Sequence, residues 1–190
     1  EVRKYANFVF MRLYKFYMKR RKYTPSYFEI SFIENLKPIT LNVHLFNGEY
    51  VTVSIESYTT IRELKSKVLN VIFQEEVSLE INLSYGIHEV SYLSGELTSG
   101  FIEDSEYVMD IYSIWSFQFK TNPNKSNFKF YLKRLLFFEE QLFDNNSTLI
   151  NLLYCDLSFD YLHGKYNISN NEDIRILSSL KVISDNLLNQ

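Results

Sequence analysis

Apolar and polar positions change rhythm several times along the chain, and each rhythm predicts a different element. Near the N-terminus, Ala6, Val9, Phe10, Leu13, Phe16 and Tyr17 recur at the spacing of one helix face, with Arg12, Lys15, Lys19 and Lys22 almost opposite. Pro25 disfavours helical backbone at Thr24, so this helix is expected to end near Lys22 or Tyr23. A connector runs from Ser26 to Pro38 and carries Phe28, Ile30, Phe32 and Ile33. Leu41, Val43 and Leu45 then alternate with Asn42, His44 and Phe46, and after Asn47-Gly48 the alternation resumes with Val51, Val53 and Ile55. That pattern predicts a β-hairpin in which both turn residues take positive φ. Thr60-Ile61-Arg62-Glu63 is a capping box, and Ile61, Leu64, Val68 and Val71 or Ile72 form the inner stripe of the helix it opens.

Short strands are expected next, around Leu79–Leu83 and Ile87–Leu93, followed over Asp104–Trp115 by a closing turn with a strand or short helix. Val108, Ile111 and Trp115 would point inward from it. A hairpin followed by a helix and more strands is the opening of a ubiquitin-like β-grasp, in which one helix packs across a twisted sheet. The polar run from Lys120 to Asn127 is the best internal boundary. Beyond it, Phe128–Leu135 reads as extended, apolar and basic, and is taken with the C-terminal region rather than with the β-grasp. A helix starting within Asp144–Thr148 carries Leu149, Leu153, Leu157 and Tyr161 inward and stops at Gly164. Ser169-Asn170-Asn171-Glu172 resembles a second capping box, opening a helix with Ile174, Leu177 and Leu180 or Lys181 on its apolar side. The C-terminal region is therefore read as helical, and the chain as α+β.

Composition narrows the function classes. Hydrophobic residues make up 46% and charged residues 23% of 190, which excludes a disordered tail, a collagen-like fibre and a disulfide scaffold. The net charge of −3 supplies no global positive field, so nucleic acid is not an expected partner. The 15 tyrosines and 16 phenylalanines, beside a single alanine, read as a codon bias acting on a normal fold. Cys155 is the sole cysteine, so no internal disulfide forms and a reducing, cytoplasmic compartment is expected. No stretch nears the roughly 18 apolar residues of a membrane span, and charged residues interrupt the N-terminal apolar stretch as no signal peptide allows. A start at Glu1 suggests a fragment or a processed product.

Candidate chemistry is sparse. His44, His88 and His163 are isolated, without metal-ligand spacing to one another or to Cys155. Cys155 and His163 lie too far apart along one helix for a nucleophile–base pair. Asp156 and Asp160 are one helical turn apart, which is the ordinary arrangement of a solvated face. There is no Gly-rich phosphate loop. The expectation is a protein that is not an enzyme, with no catalytic residue, metal or cofactor. The one local feature that suits a partner is the basic helix of Arg12, Lys15, Lys19, Arg20, Arg21 and Lys22, which matches an acidic protein surface, anionic lipid or calmodulin. Its blander reading is a solvated helix whose last turn balances the dipole. Lys129, Lys133 and Arg134 interleave with Phe128, Phe130 and Tyr131, and in so aromatic a chain they read as flanking a core.

Three blocks carry a family resemblance. Met18–Ile30 running through Lys37-Pro-Ile-Thr40 into the hairpin resembles the end of a myosin-tail-homology domain joined to a FERM domain. Tyr85–Val90 with Asp104–Trp115 resembles the second half of the ubiquitin-like first FERM lobe. Leu152–Tyr154 with Asp160–Tyr166 and Asn171–Ile174 resembles the first two helices of the second lobe. The resemblance implies residues 1–38 as the tail-homology end and connector, 39–118 as the ubiquitin-like lobe, and 119–190 as an incomplete helical lobe of acyl-CoA-binding-protein type. It further implies a non-catalytic binding module of an unconventional myosin tail, linking an actin-based motor head elsewhere in the parent chain to protein cargo, membrane-receptor tails, microtubules or anionic lipid. A plant-type kinesin tail, a FERM linker without a motor and a ubiquitin-like effector of small GTPases are the alternatives.

Overall fold

The computed structural model describes residues 4, 6–11, 14, 21–35, 37–93, 96–121, 128–136, 147–166 and 170–188. By internal contacts the chain divides into two compact units, residues 1–144 and 145–190.

In the first unit, residues 4, 6–11 and 14 are helical, whereas residues 21–26 are not. The expected end of the first helix near Lys22 or Tyr23 abuts residues 15–20, which lie outside the described residues; Lys22 and Tyr23 themselves are not helical. The backbone there is drawn instead to Asp110, whose carboxylate accepts hydrogen bonds from the amides of Lys22 and Tyr23. Part of the expected connector is helix α1, Tyr27–Glu34. Ser26 caps it in extended conformation, its hydroxyl accepting from the Glu29 amide.

Strands β1, Ile39–His44, and β2, Tyr50–Ile55, form the predicted antiparallel hairpin with Leu41 opposite Val53. Its turn differs from expectation. Gly48 has φ of 90° while Asn47 stays at negative φ, because Gly48 donates to the Leu45 carbonyl and the Leu45 amide bonds Glu49 across a three-residue loop. A loop of that length demands one left-handed residue rather than two. Helix α2, Ile61–Phe73, opens with the complete Thr60–Glu63 capping box. It buries Ile61, Leu64, Val68 and Leu69, whereas Val71 is exposed. Gln74, in left-handed conformation, ends it.

The alternating residues Leu79–Ser84 are a short helix, α3, and not a strand. Ser78 accepts from the Ile81 amide and starts the turn, and Leu79 and Leu83 point to solvent. Strands β3, Tyr85–Leu93, and β4, Glu96–Phe101, pair antiparallel. Helix α4, Val108–Thr121, resolves the ambiguity over Asp104–Trp115 in favour of helix and buries Val108, Met109, Ile111 and Trp115. Strand β5, Lys129–Arg134, completes the sheet in the order β2-β1-β5-β3-β4, parallel to β1 and antiparallel to β3. This is the β-grasp, with β5 as its middle strand. The ubiquitin-like lobe thus extends through β5, past the boundary at 118. The polar run before it leads into the last strand of the same sheet.

The second unit holds two helices. Helix α5, Ser147–Leu162, buries Leu149, Leu152 and Asp156, so Asp156 belongs to a packed face and not to the solvated one expected. It is followed by Gly164 at a φ of 66°, as the sequence predicts. Helix α6, Asn171–Leu188, is capped through Asn170, whose Oδ1 accepts from the Glu172 amide. Ser169 lies outside the described residues. Tyr161 of α5 bonds the Ile174 carbonyl at 3.3 Å and Ser178 Oγ at 3.0 Å, which fixes α6 against α5.

Candidate partner-binding surface

Of the six basic residues, Arg12, Lys15, Lys19 and Arg20 lie outside the described residues. Arg21 and Lys22, adjacent in sequence, have opposite fates. The Arg21 side chain is fully enclosed. Its Nη1 donates to both carboxylate oxygens of Glu29 at 2.7 Å, and its Nε donates to Asp110 Oδ1 at 2.8 Å. Nη1 also reaches the Ser57 carbonyl at 3.2 Å. One guanidinium therefore ties the segment before α1 to α1 itself, to the loop after β2 and to α4. A cation in that position cannot touch a partner, so Arg21 is removed from the predicted surface. Its burial is stable only because two carboxylates, Glu29 on the following helix and Asp110 far along the chain on α4, neutralise it. Lys22 remains on the surface, where its ammonium pairs with Glu106 at 2.6 Å. The hydrogen bond to Glu106 and its negative charge raise the Lys22 pKa.

The face of the sheet away from α2 carries a row of rings that the sequence reading did not assemble. Tyr50, His44, Tyr131, His88 and Phe101 come one from each strand, and the strand registers set them side by side. Ring centroids are 5.8 Å apart for Tyr50–His44, 5.4 Å for His44–Tyr131 and 5.8 Å for His88–Phe101. Phe46 also packs on Tyr131 at 4.9 Å. Cross-strand aromatic pairs of this kind hold neighbouring strands together. Burial among these neighbours, with the Lys129 cation second, lowers the His44 pKa below its usual value. The signal was present as alternation within each strand, but the row appears only when the pairing partners are known.

The remaining candidates are used locally. His88 Nδ1 lies 3.2 Å from Ser99 Oγ. His163 stacks on Phe159 at 3.9 Å and its Nδ1 meets the Phe159 carbonyl at 2.8 Å. The Cys155 thiol, half-buried, lies 3.7 Å from Asn151 Oδ1. Asp160 pairs with Lys165 at 3.1 Å. Among the described residues no group of three or more His, Cys, Asp or Glu could hold a metal, and no helix is long and apolar enough to cross a membrane.

The first unit is thus a ubiquitin-like β-grasp lobe with a lead-in segment fixed to it through Arg21. Residues 37–136, just over half the chain and ending just beyond β5, match the RA-like domain family, and the chain belongs to that family. The "Myosin-I heavy chain" of Dictyostelium discoideum is 24% identical over 176 residues, covering 86% of this chain and 7% of that protein. Among solved structures, the MyTH4-FERM MF2 domain of Dictyostelium discoideum myosin VII superposes with a TM-score of 0.68 at 23% identity, over 82% of this chain and 31% of that one. The MF1 domain of the same myosin gives 0.58 at 26% identity over 73% and 27%. The C-terminal MyTH4-FERM domain of human myosin 7b, solved with the harmonin-a PDZ3 domain, gives 0.50 at 16% over 68% and 26%. The chain thus spans a small part of the curated relative and between a quarter and a third of the solved domains. The resemblance to a myosin-tail FERM region, read first from sequence blocks, holds, and these neighbours are binding domains rather than enzymes.

Proposed function

We propose that this chain is a non-catalytic binding module of a myosin tail, coupling an actin-based motor to protein cargo, membrane-receptor tails or microtubules at the cytoplasmic cytoskeleton. The observation that carries this reading is the continuity of the match: the myosin VII neighbour aligns over 82% of the chain, not over the β-grasp lobe alone. On this reading residues 1–38 are the end of a tail-homology domain and residues 145–190 the beginning of the second FERM lobe. Protein partners are favoured because the myosin 7b domain was solved with a PDZ domain. Electrostatic contact with microtubules or anionic lipid falls to Arg12, Lys15, Lys19, Arg20 and Lys22. The test is cosedimentation with microtubules and with anionic vesicles, comparing the wild type with Lys19, Arg20 and Lys22 changed together to Glu while Arg21 is kept. Binding that weakens with salt and is lost in the variant supports the basic contact. Binding that the reversal leaves unchanged refutes it.

A second reading follows from the sheet order. β2 is an edge strand, and an edge can accept a strand from a partner. A ubiquitin-like effector would present this edge to a small GTPase. Capture of GTP-loaded but not GDP-loaded GTPase, abolished by Thr52→Pro, is its expected signature. Equal capture of both nucleotide states counts against it.

A further inference from the structure

We infer that the cleft where β1 and β5 part binds the C-terminal carboxylate of a partner protein whose last residue is apolar. This rests on the reading of the chain as a protein-binding module and gives that module a ligand chemistry. Among the described residues β1 and β5 pair only at Val43–Phe130 and His44–Tyr131, and the ladder stops short of Asn42 and Lys129, the next positions in register. A cleft of about 320 Å³ opens there, within the first unit. Its polar side is Thr40, Asn42 and His44 of β1 with Lys129 of β5. Its apolar side is Phe28 of α1, Tyr112 of α4 and Phe128, over Leu41 and Phe130. Phe28 stacks on Tyr112 at 4.9 Å and Phe128 on Trp115 at 5.3 Å, with interplanar angles of 8° and 7°. The aromatic walls are therefore set before a ligand arrives, which lowers the cost of binding.

The occupant follows from charge and shape. None of the described residues lining the cleft is acidic. Lys129 brings an ammonium group, and the exposed Thr40 adds a hydroxyl. Asn42 Oδ1 accepts from Thr52 Oγ1 at 2.8 Å, so the amide presents its nitrogen as a donor. His44 is neutral at pH 7, because burial and the Lys129 cation hold its pKa below 6.5. The described lining thus offers one full positive charge and several donors. That balance suits a monoanionic carboxylate better than a phosphate group, which carries close to two charges. The rings on the other side can cover an apolar side chain. A C-terminal residue brings both features on one carbon, since its carboxylate and its side chain leave the same Cα. The volume is at the small end of the roughly 300–1,000 Å³ of ligand pockets, enough for a terminal residue and part of the one before it. The rest of the partner leaves past Thr40 and Asn42, which are exposed. Capture of a terminal carboxylate is an established mode of peptide recognition.

The test is an NMR titration of the whole chain with the peptide acetyl-Gly-Gly-Gly-Phe, followed at the His44 ring and the Trp115 indole. The free acid is expected to bind with a Kd of ~0.1–1 mM, the range open to one carboxylate and one ring. Its C-terminal amide should bind at least ~10-fold more weakly, as should phenylacetate, which has the carboxylate and the ring without the peptide. Lys129→Gln should cost about 10-fold, the usual worth of a hydrogen bond to a charged group. Asn42→Asp keeps the acceptor for Thr52 but sets a carboxylate in the cleft, and should abolish binding of the acid. Unchanged circular-dichroism spectra show that both variants fold. No binding of the acid, equal binding of acid and amide, or binding indifferent to both variants overturns the proposal. Phenylacetate as tight as the peptide overturns it too, since the cleft would then serve a free small acid. Any of these results leaves the tail-module reading standing, because the cosedimentation experiment tests that reading on other residues.

Discussion

Replacing Arg21 by Met tests whether the lead-in segment is part of the ubiquitin-like lobe or a loose neighbour. The substitution keeps most of the side chain's length and removes the guanidinium that lies between Glu29 and Asp110, whose own side chains are 1% exposed. Three charge-assisted hydrogen bonds of 2.7–2.8 Å disappear, and two carboxylates remain enclosed without their partner. Breaking a buried pair from one side costs about 3–5 kcal/mol. That is a large share of the roughly 5–15 kcal/mol that holds an ordinary domain together. At a urea slope of about 1–3 kcal/mol per molar, the unfolding midpoint should fall by roughly 2 M. Trp115, the sole tryptophan, reports the transition because it is buried on α4 against Phe128, on the helix that carries Asp110. Two controls separate this cause from general damage. Lys22→Met, at the neighbouring exposed position, should leave the midpoint nearly unmoved. Combining Arg21→Met with Glu29→Gln and Asp110→Asn should recover much of the loss, since the uncompensated charges are gone. If Arg21→Met shifts the midpoint no more than Lys22→Met, or if the combined variant is as unstable as the sum of its parts, the enclosed triad does not hold the segment and the reasoning is wrong.

Further outcomes follow from titration and from the sheet. Burial raises the Tyr112 pKa from 10.0 to about 12, so the folded state keeps a proton that the unfolded chain has lost. The associated stability is intact below pH 10 and disappears as the pH rises towards 12, with roughly 2–3 kcal/mol at stake; Tyr112→Phe should flatten that part of a urea-midpoint profile. His44 behaves in the opposite sense. Its lowered folded pKa means that stability is present above 6.5 and falls as the pH drops below it, and His44→Asn should remove this slope, with the ring titration followed by NMR. A chain ended after residue 118 lacks β5 and leaves the β1–β2 and β3–β4 hairpins without their shared neighbour. It should show no cooperative unfolding by circular dichroism, whereas a chain ended after residue 136 should; cooperative folding of the shorter chain would contradict the central role given to β5.

What could be read from sequence was what neighbouring residues decide among themselves. The hairpin alternation, the Thr60–Glu63 box and Gly164 are local devices, and each was found where it was expected. The failures share one cause. Leu79, Ile81 and Leu83 alternate like a strand, yet the Ser78 cap and the absence of a burying partner let six residues coil. Strand β5 was legible as extended chain, but not as the centre of the sheet, because its pairing with β1 joins residues far apart in sequence. The basic run Lys19–Lys22 shows the same limit in electrostatics. Four adjacent cations look alike on a helical wheel. Only the approach of Glu29 and Asp110 makes one of them an interior anchor, while the next stays on the surface with Glu106. A charge run therefore predicts a contact surface only for those members that no distant opposite charge has claimed. That is why a reversal of the basic run must spare Arg21 if it is to report on binding rather than on folding.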